Sequence, residues 1–234
     1  MNRDSNKFII IFASIMVIVV ALLLSVVHEI LKDTQQKNED IDKMSQILRS
    51  IKIHTSGDDT EKTFNEIVTD MYLIDTEGNI IQDSKNDAFS ADMKAEMDKS
   101  IEKRHLPVYV VTIDGQTKYI LALYGKGLWG PLWGYISIDN DGSTVYGTDF
   151  SHQGETPGLG AEISQHWFSE KFEGKHLFKE GHFKSIAVVK PGRGPSDKDY
   201  VDGISGGTIT GNGVNAMLYD TLEGYSKFLS NLDK

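Results

Sequence analysis

Cysteine is absent from this 234-residue chain, which excludes disulfides, thiolate-held iron–sulfur clusters, cysteine-ligated zinc, thiol catalysis and a lipid-modified cysteine anchor. Any redox chemistry must therefore come from an organic cofactor. Positive charge is short as well: 24 Lys and Arg face 34 Asp and Glu, a formal net charge of −10. The basic patch that a nucleic-acid partner needs is missing. There is no fixed-period repeat, no P-loop, no G-x-G-x-x-G after a strand and no ordered Ser/His/Asp signature, so neither NADH binding nor triad hydrolysis is expected of this chain. Histidines 28, 54, 105, 152, 166, 176 and 182 are scattered without an i,i+4 pair, and no metal site is assigned.

What is present begins with an apolar run. Residues 8–27, FIIIFASIMVIVVALLLSVV, carry no charge, and about 20 such residues at 1.5 Å rise match a hydrocarbon core of roughly 30 Å. A cleaved signal peptide has a shorter apolar core and an A-x-A-like site, so the run is read as a transmembrane helix. Arg3 and Lys7 precede it, while Glu29, Asp33, Glu39, Asp40 and Asp42 follow, which by the positive-inside rule puts residues 1–7 in the cytoplasm and the bulk of the chain outside. Residues 28–62 read as a charged helical stalk and linker, and residues 63–234 as one folded head.

Within the head, apolar runs flank turn residues three times, around 75–79, 114–116 and 140–143, each a hairpin signal. Helices are expected over 90–103 with Ser90 as cap, over 164–172 and over 211–232, and a further strand over 183–189. In the last helix Val214, Met217, Leu218, Thr221, Leu222, Tyr225 and Leu229 fall on one side. Antiparallel hairpins interrupted by helices predict an α+β head.

Three glycine-rich segments stand out. DGISGGTIT, residues 202–210, places three glycines and three hydroxyls ahead of the last helix. Two readings fit it: a phosphate cradle, with close backbone approach and a helix N-terminus favouring an anion, or a loop in which Ser205 or Thr210 merely caps the helix. GKGLWG (125–130) and GETPGLG (154–160) each follow an expected strand, so each is either a wall for a flat ring, with Trp129 or Leu159 against it, or a long turn covering the core edge.

Taken together, the anchor and the segments YGKGLWGPLWGYISID, DGSTVYGTDFSHQGETPGLGAEI, FEGKHL and YVDGISGGTITGNGV, within residues 123–214, resemble the NqrC family of sodium-translocating NADH:quinone oxidoreductase subunits. The resemblance implies a membrane-anchored, extracytoplasmic FMN-binding domain in the inner membrane, periplasmic where there is a periplasm. By the same resemblance it would relay electrons taken from NADH toward quinone, while sodium is pumped outward, without itself binding NADH. It also implies FMN joined by a phosphoester to the threonine ending a Ser-Gly-Ala-Thr motif, which falls on Thr208, with Ser205 and Gly206 preceding and Gly207 where Ala is usual. A separate flavin transferase would make that bond from FAD with magnesium, Asp202 aiding recognition or activation, with Thr210 the rival hydroxyl. Trp129 and Leu159 would border the ring, Thr156 and Gly160 offer polar contacts, and Lys126 lie near the phosphate or ring. The related FMN subunit of Rnf-type electron-transport complexes shares the anchor and the threonine motif, whereas GKGLW favours the first family. From another class, a membrane-anchored sensor or structural module could keep these loops without flavin.

Overall fold

The computed structural model describes residues 6–57, 59–81 and 85–232. It divides into two compact units, Met1–Lys43 and Met44–Lys234.

The first unit is helical. Helix α1, Asn6–Ser50, contains the apolar run, has a window of mean hydropathy 3.2 and buries none of that window within the protein. It is long and apolar enough to cross a membrane. The helix does not stop with the apolar residues, because the charged stretch beyond is rich in good helix formers and gains side-chain pairs such as Gln36 Nε2 donating to Asp40 Oδ1 at 3.0 Å.

The second unit is built on a five-stranded antiparallel sheet. Its strands are β1 (Val68–Ile74), β2 (Leu106–Ile113), β3 (Gln116–Lys126), β4 (Pro131–Asp139) and β5 (Val145–His152), adjacent in sequence order. Side chains alternate between faces along each strand. Val108, Leu121, Leu123, Leu132 and Ile136 therefore enter one core, and Tyr109, Val111, Ile120, Ala122 and Tyr135 the other. The first core is closed by α6, Thr208–Leu232, whose buried Val214, Met217, Leu218, Leu222, Tyr225 and Leu229 repeat at helical spacing. The second is closed by Ile47, Leu48 and Ile51 at the end of α1, Phe64 of α2 (Asp59–Ile67) and Phe89 of α3 (Lys85–Ser90).

Two close approaches seat α6 on the sheet. A Cβ on Gly125 of β3 would stand 2.6 Å from Met217 Cβ, and one on Gly213 of α6 would strike the Lys126 carbonyl oxygen. Tyr225 Oη, buried, donates to the Pro107 carbonyl at 2.9 Å, so the helix is fixed polar group to polar group as well as by area. On the other face Arg49 grips Asp149 bidentately at 2.9 and 3.0 Å, and Ser137 Oγ donates to the Ser50 carbonyl at 2.6 Å.

The α+β expectation holds, with local differences. The hairpin at Asp114–Gly115 forms as expected, whereas the strand after residue 79 is reduced to a single bridge, Ile74 to Ile80. Residues 90–103 do not make one helix: Asp92, not Ser90, caps the short α4, Met93–Met97, by accepting from the amides of Lys94 and Ala95, and Ile101–Lys103 is a separate 3-10 turn. Residues 164–172 break into α5, His166–Ser169, flanked by 3-10 turns Gly160–Ser164 and Glu170–Phe172. The expected strand over 183–189 is interrupted where Ser185 takes φ 58°, separating the small hairpin β6 (Phe178–Lys179) and β7 (His182–Phe183) from β8 (Ala187–Val189). Strand β8 pairs in parallel with β9, Tyr200–Asp202. The compact unit also reaches back to Met44, ahead of the expected start at residue 63, because the end of α1 supplies core side chains.

Candidate functional site

The GKGLWG segment proves to be a tight connection. Strand β3 continues to Lys126 and β4 starts at Pro131, and the Gly127 amide donates to the Gly130 carbonyl at 2.8 Å. The side chains at the tip have no room to turn inward, leaving Leu128 and Trp129 exposed, the latter by 68%. The GETPGLG segment leaves the end of β5, turns through Gly158 at φ +75°, and enters the 3-10 turn at Gly160. Leu159 is held at the surface, 42% exposed.

The third segment starts α6 earlier than its composition indicates. Gly206 adopts φ +78°, the Gly207 amide donates back to the Ile204 carbonyl at 3.0 Å, and Thr208 is the first helical residue. A Cβ on Gly206 would lie 2.6 Å from Leu159 Cδ2, so glycine here serves both the turn and a close contact with the neighbouring loop. At Gly207 a Cβ would meet Ile204 and the Leu159 carbonyl oxygen at 3.3 Å, without positive φ.

These three segments converge. A cleft of about 250 Å³ is lined by Leu128 from the hairpin, Glu155, Thr156, Leu159 and Gly160 from the second loop, and Gly206–Thr210 from the helix start. Trp129 stands beside it, its indole Nε1 donating to Thr156 Oγ1 at 3.2 Å. A second cleft, about 190 Å³, borders the same turn, with Val188, Lys190, Ser205 and Asn212 on its walls and Gly206, Gly207 and Thr208 shared with the first.

Thr208 thus stands exposed on the ridge between two clefts. Thr210 is different: it is 2% exposed, and its hydroxyl donates to Glu155 Oε2 at 2.5 Å. Ser205 belongs to the second cleft alone, and Lys126 and Asp202 lie outside both linings. Lys126 ends β3 with an exposed side chain, while the Asp202 carbonyl accepts from Lys171 Nζ at 3.0 Å at the end of β9.

Among the cleft residues that escaped the reading of the sequence are Leu128, Glu155, Lys190 and Ile209. Leu128 and Ile209, 47% and 57% exposed, sit beside flagged residues and extend the apolar rim. Glu155 left no periodic trace, because a loop carboxylate becomes informative when its tertiary partners are known.

A profile of the FMN-binding domain matches residues 127–223. Among curated proteins, the NqrC protein of the Na(+)-translocating NADH-quinone reductase from Vibrio alginolyticus is 32% identical, covering 99% of this chain and 96% of its own. The protein of the same name from Vibrio anguillarum is 33% identical over 91% of this chain and 89% of its own. Among solved structures, that of the corresponding Parabacteroides distasonis protein is 52% identical with a TM-score of 0.79, covering 85% of this chain and 96% of that one. Shewanella oneidensis NqrC is 27% identical with a TM-score of 0.68, covering 83% of this chain and 98% of that one. With relatives above 30% identity aligned along nearly their whole length, the chain belongs to the NqrC family of Na(+)-translocating NADH-quinone reductase subunits.

Proposed function

We propose that this chain is the FMN-carrying electron-relay subunit of a sodium-exporting NADH:quinone oxidoreductase, with FMN joined by a phosphoester to Thr208. The observation that carries the reading is the contrast between two hydroxyls in one helical turn: Thr208 is exposed between two clefts, whereas Thr210 is buried and already bonded to Glu155. The residues present fit the group. Leu128, Leu159 and Ile209 offer exposed apolar surface for a flat ring, Gly206 and Gly207 let the chain approach closely, and Lys190 contributes positive charge to the second cleft. Thr208 opens a 25-residue helix, whose first amides lack intrahelical acceptors and favour a phosphate.

FMN supplies the electron-transfer chemistry when bound. The chain's part is to hold it: the apolar rim sheds water, Thr156 and the Gly160 backbone border the cleft, and the covalent tether prevents loss of the cofactor outside the membrane. A threonine hydroxyl with no base beside it in sequence is a poor nucleophile, which supports attachment by a separate flavin transferase. Residues 8–27 of α1 serve as the anchor, with residues 1–7 cytoplasmic and the head extracytoplasmic, docked on the other subunits of the complex.

The test is a denaturing gel of the chain co-expressed with a flavin transferase. A fluorescent flavin band is expected for the wild type and for Thr210→Val, and none for Thr208→Ala. A band that survives Thr208→Ala defeats the assignment.

A further inference from the structure

We propose that Glu155 is a positioning residue of the flavin site, its buried carboxylate clamping the hairpin loop at Gly127–Gly130 to the first turn of α6 so that the Trp129 ring and the Thr208 hydroxyl stay in register across the cleft. The inference rests on the covalent-flavin reading above. Glu155 is 5% exposed, and a buried carboxylate is costly unless its oxygens are satisfied. Here each oxygen serves a different element: Oε1 accepts the Trp129 amide at 2.9 Å, and Oε2 accepts the Thr210 hydroxyl at 2.5 Å. The Glu155 amide in turn donates to His152 Nδ1 at 3.2 Å, tying the clamp to the end of β5.

The surrounding glycines are shaped to this carboxylate. A Cβ on Gly127 would collide with Oε1, and one on Gly160 would stand 2.6 Å from Oε2 and strike the Thr210 hydroxyl oxygen. The hairpin and the second loop thus both give way to one side chain. The Trp129 ring is meanwhile 68% exposed and held at its edge by Thr156. Its backbone amide is anchored on a buried carboxylate while its ring is left exposed beside the cleft, an arrangement suited to positioning a wall that contacts a ligand.

The experiment uses the full chain as wild type, Glu155→Gln and Thr210→Val, the last removing one partner of the clamp while keeping a β-branched shape. In protein made without the transferase, hydrogen exchange is followed at the amides of residues 127–130. In Glu155→Gln the amide keeps one acceptor oxygen but loses the charge and the second, so the Trp129 amide and the Thr210 hydroxyl can no longer both donate to it, and local opening should speed about tenfold or more; Thr210→Val should speed it in the same direction. In flavin-loaded protein, native flavin emission is divided by that after denaturation, because a stacked indole quenches flavin. The ratio should rise severalfold in Glu155→Gln and in Trp129→Ala, and adding Glu155→Gln to Trp129→Ala should change nothing further. Wild-type exchange rates in both variants, or a wild-type emission ratio in Glu155→Gln, overturn the proposal. A wild-type chain with no denaturation-resistant flavin overturns the attachment at Thr208 instead, and the exchange arm still decides the clamp.

Discussion

Gly207 stands where the resemblance implies an alanine, and its surroundings give the difference a measurable meaning. A methyl there would sit at 3.3 Å from Ile204 and the Leu159 carbonyl oxygen, tight but without backbone strain. Gly207→Ala should therefore shift stability by less than about 1 kcal/mol in thermal unfolding and keep the flavin band. Gly206→Ala is the contrasting case, because φ +78° and Leu159 Cδ2 at 2.6 Å both oppose a Cβ. It should cost about 1–2 kcal/mol and push Leu159 out of the cleft, visible as a change in flavin emission. Asp141 gives the pH counterpart. Burial raises the pKa of its carboxyl, but the Thr144 hydroxyl, the amides of Thr144 and Ser143, and nearby His176 outweigh that and hold it below the ordinary aspartate value. A depressed carboxylate stabilises the fold above its unfolded pKa and loses that contribution as pH falls through the folded one. Asp141→Ala should thus cost up to about 1 kcal/mol near pH 7, screening by solvent included, and the cost should shrink as pH falls from the ordinary aspartate value through the lower folded one, as read by urea titration across pH.

At the scale of elements, the legible parts of the sequence were those whose signal is periodic. The apolar runs of β2 and β3 and the apolar stripe of α6 from Val214 onward announce themselves, and Asp114–Gly115 marks its own turn. What failed to show was set by partners distant in sequence. Gly211 and Gly213 make the start of α6 look like a loop, yet the helix begins at Thr208 because those glycines allow close packing against Val188 and the Lys126 carbonyl. Ser90 looks like a cap, but Asp92 has the carboxylate in place for two amides. The loops at 125–130 and 154–160 stood out as glycine-rich segments after strands, whereas Glu155, which joins the hairpin to α6, did not. Gly213→Ala tests the packing argument: its methyl would be driven into the Lys126 carbonyl, lifting α6 off β3 at a cost of about 1–3 kcal/mol in urea unfolding.

For the whole molecule, the head is a sheet covered on both faces, and one cover is the end of α1. A chain beginning at Met44 should fold and stay monodisperse without detergent. One beginning at residue 63 loses Ile47, Leu48 and Ile51, at about 1.5–3 kcal/mol each, and should unfold or aggregate, a difference that circular dichroism and gel filtration will report. The opposite cover is α6, secured along its length by Gly224 and Tyr225 against β2 and at its start by Thr210 on Glu155. A helix pinned at both ends has a defined phase. Each residue advances the helix by about 100°, so Thr208 and Thr210 look in nearly opposite directions, and one residue inserted between Thr208 and Thr210 would swing the Thr208 hydroxyl, the proposed attachment oxygen, from the cleft mouth toward the protein body. The length of that segment is therefore under tighter constraint than its composition: a motif with every letter intact but out of phase would present the wrong hydroxyl.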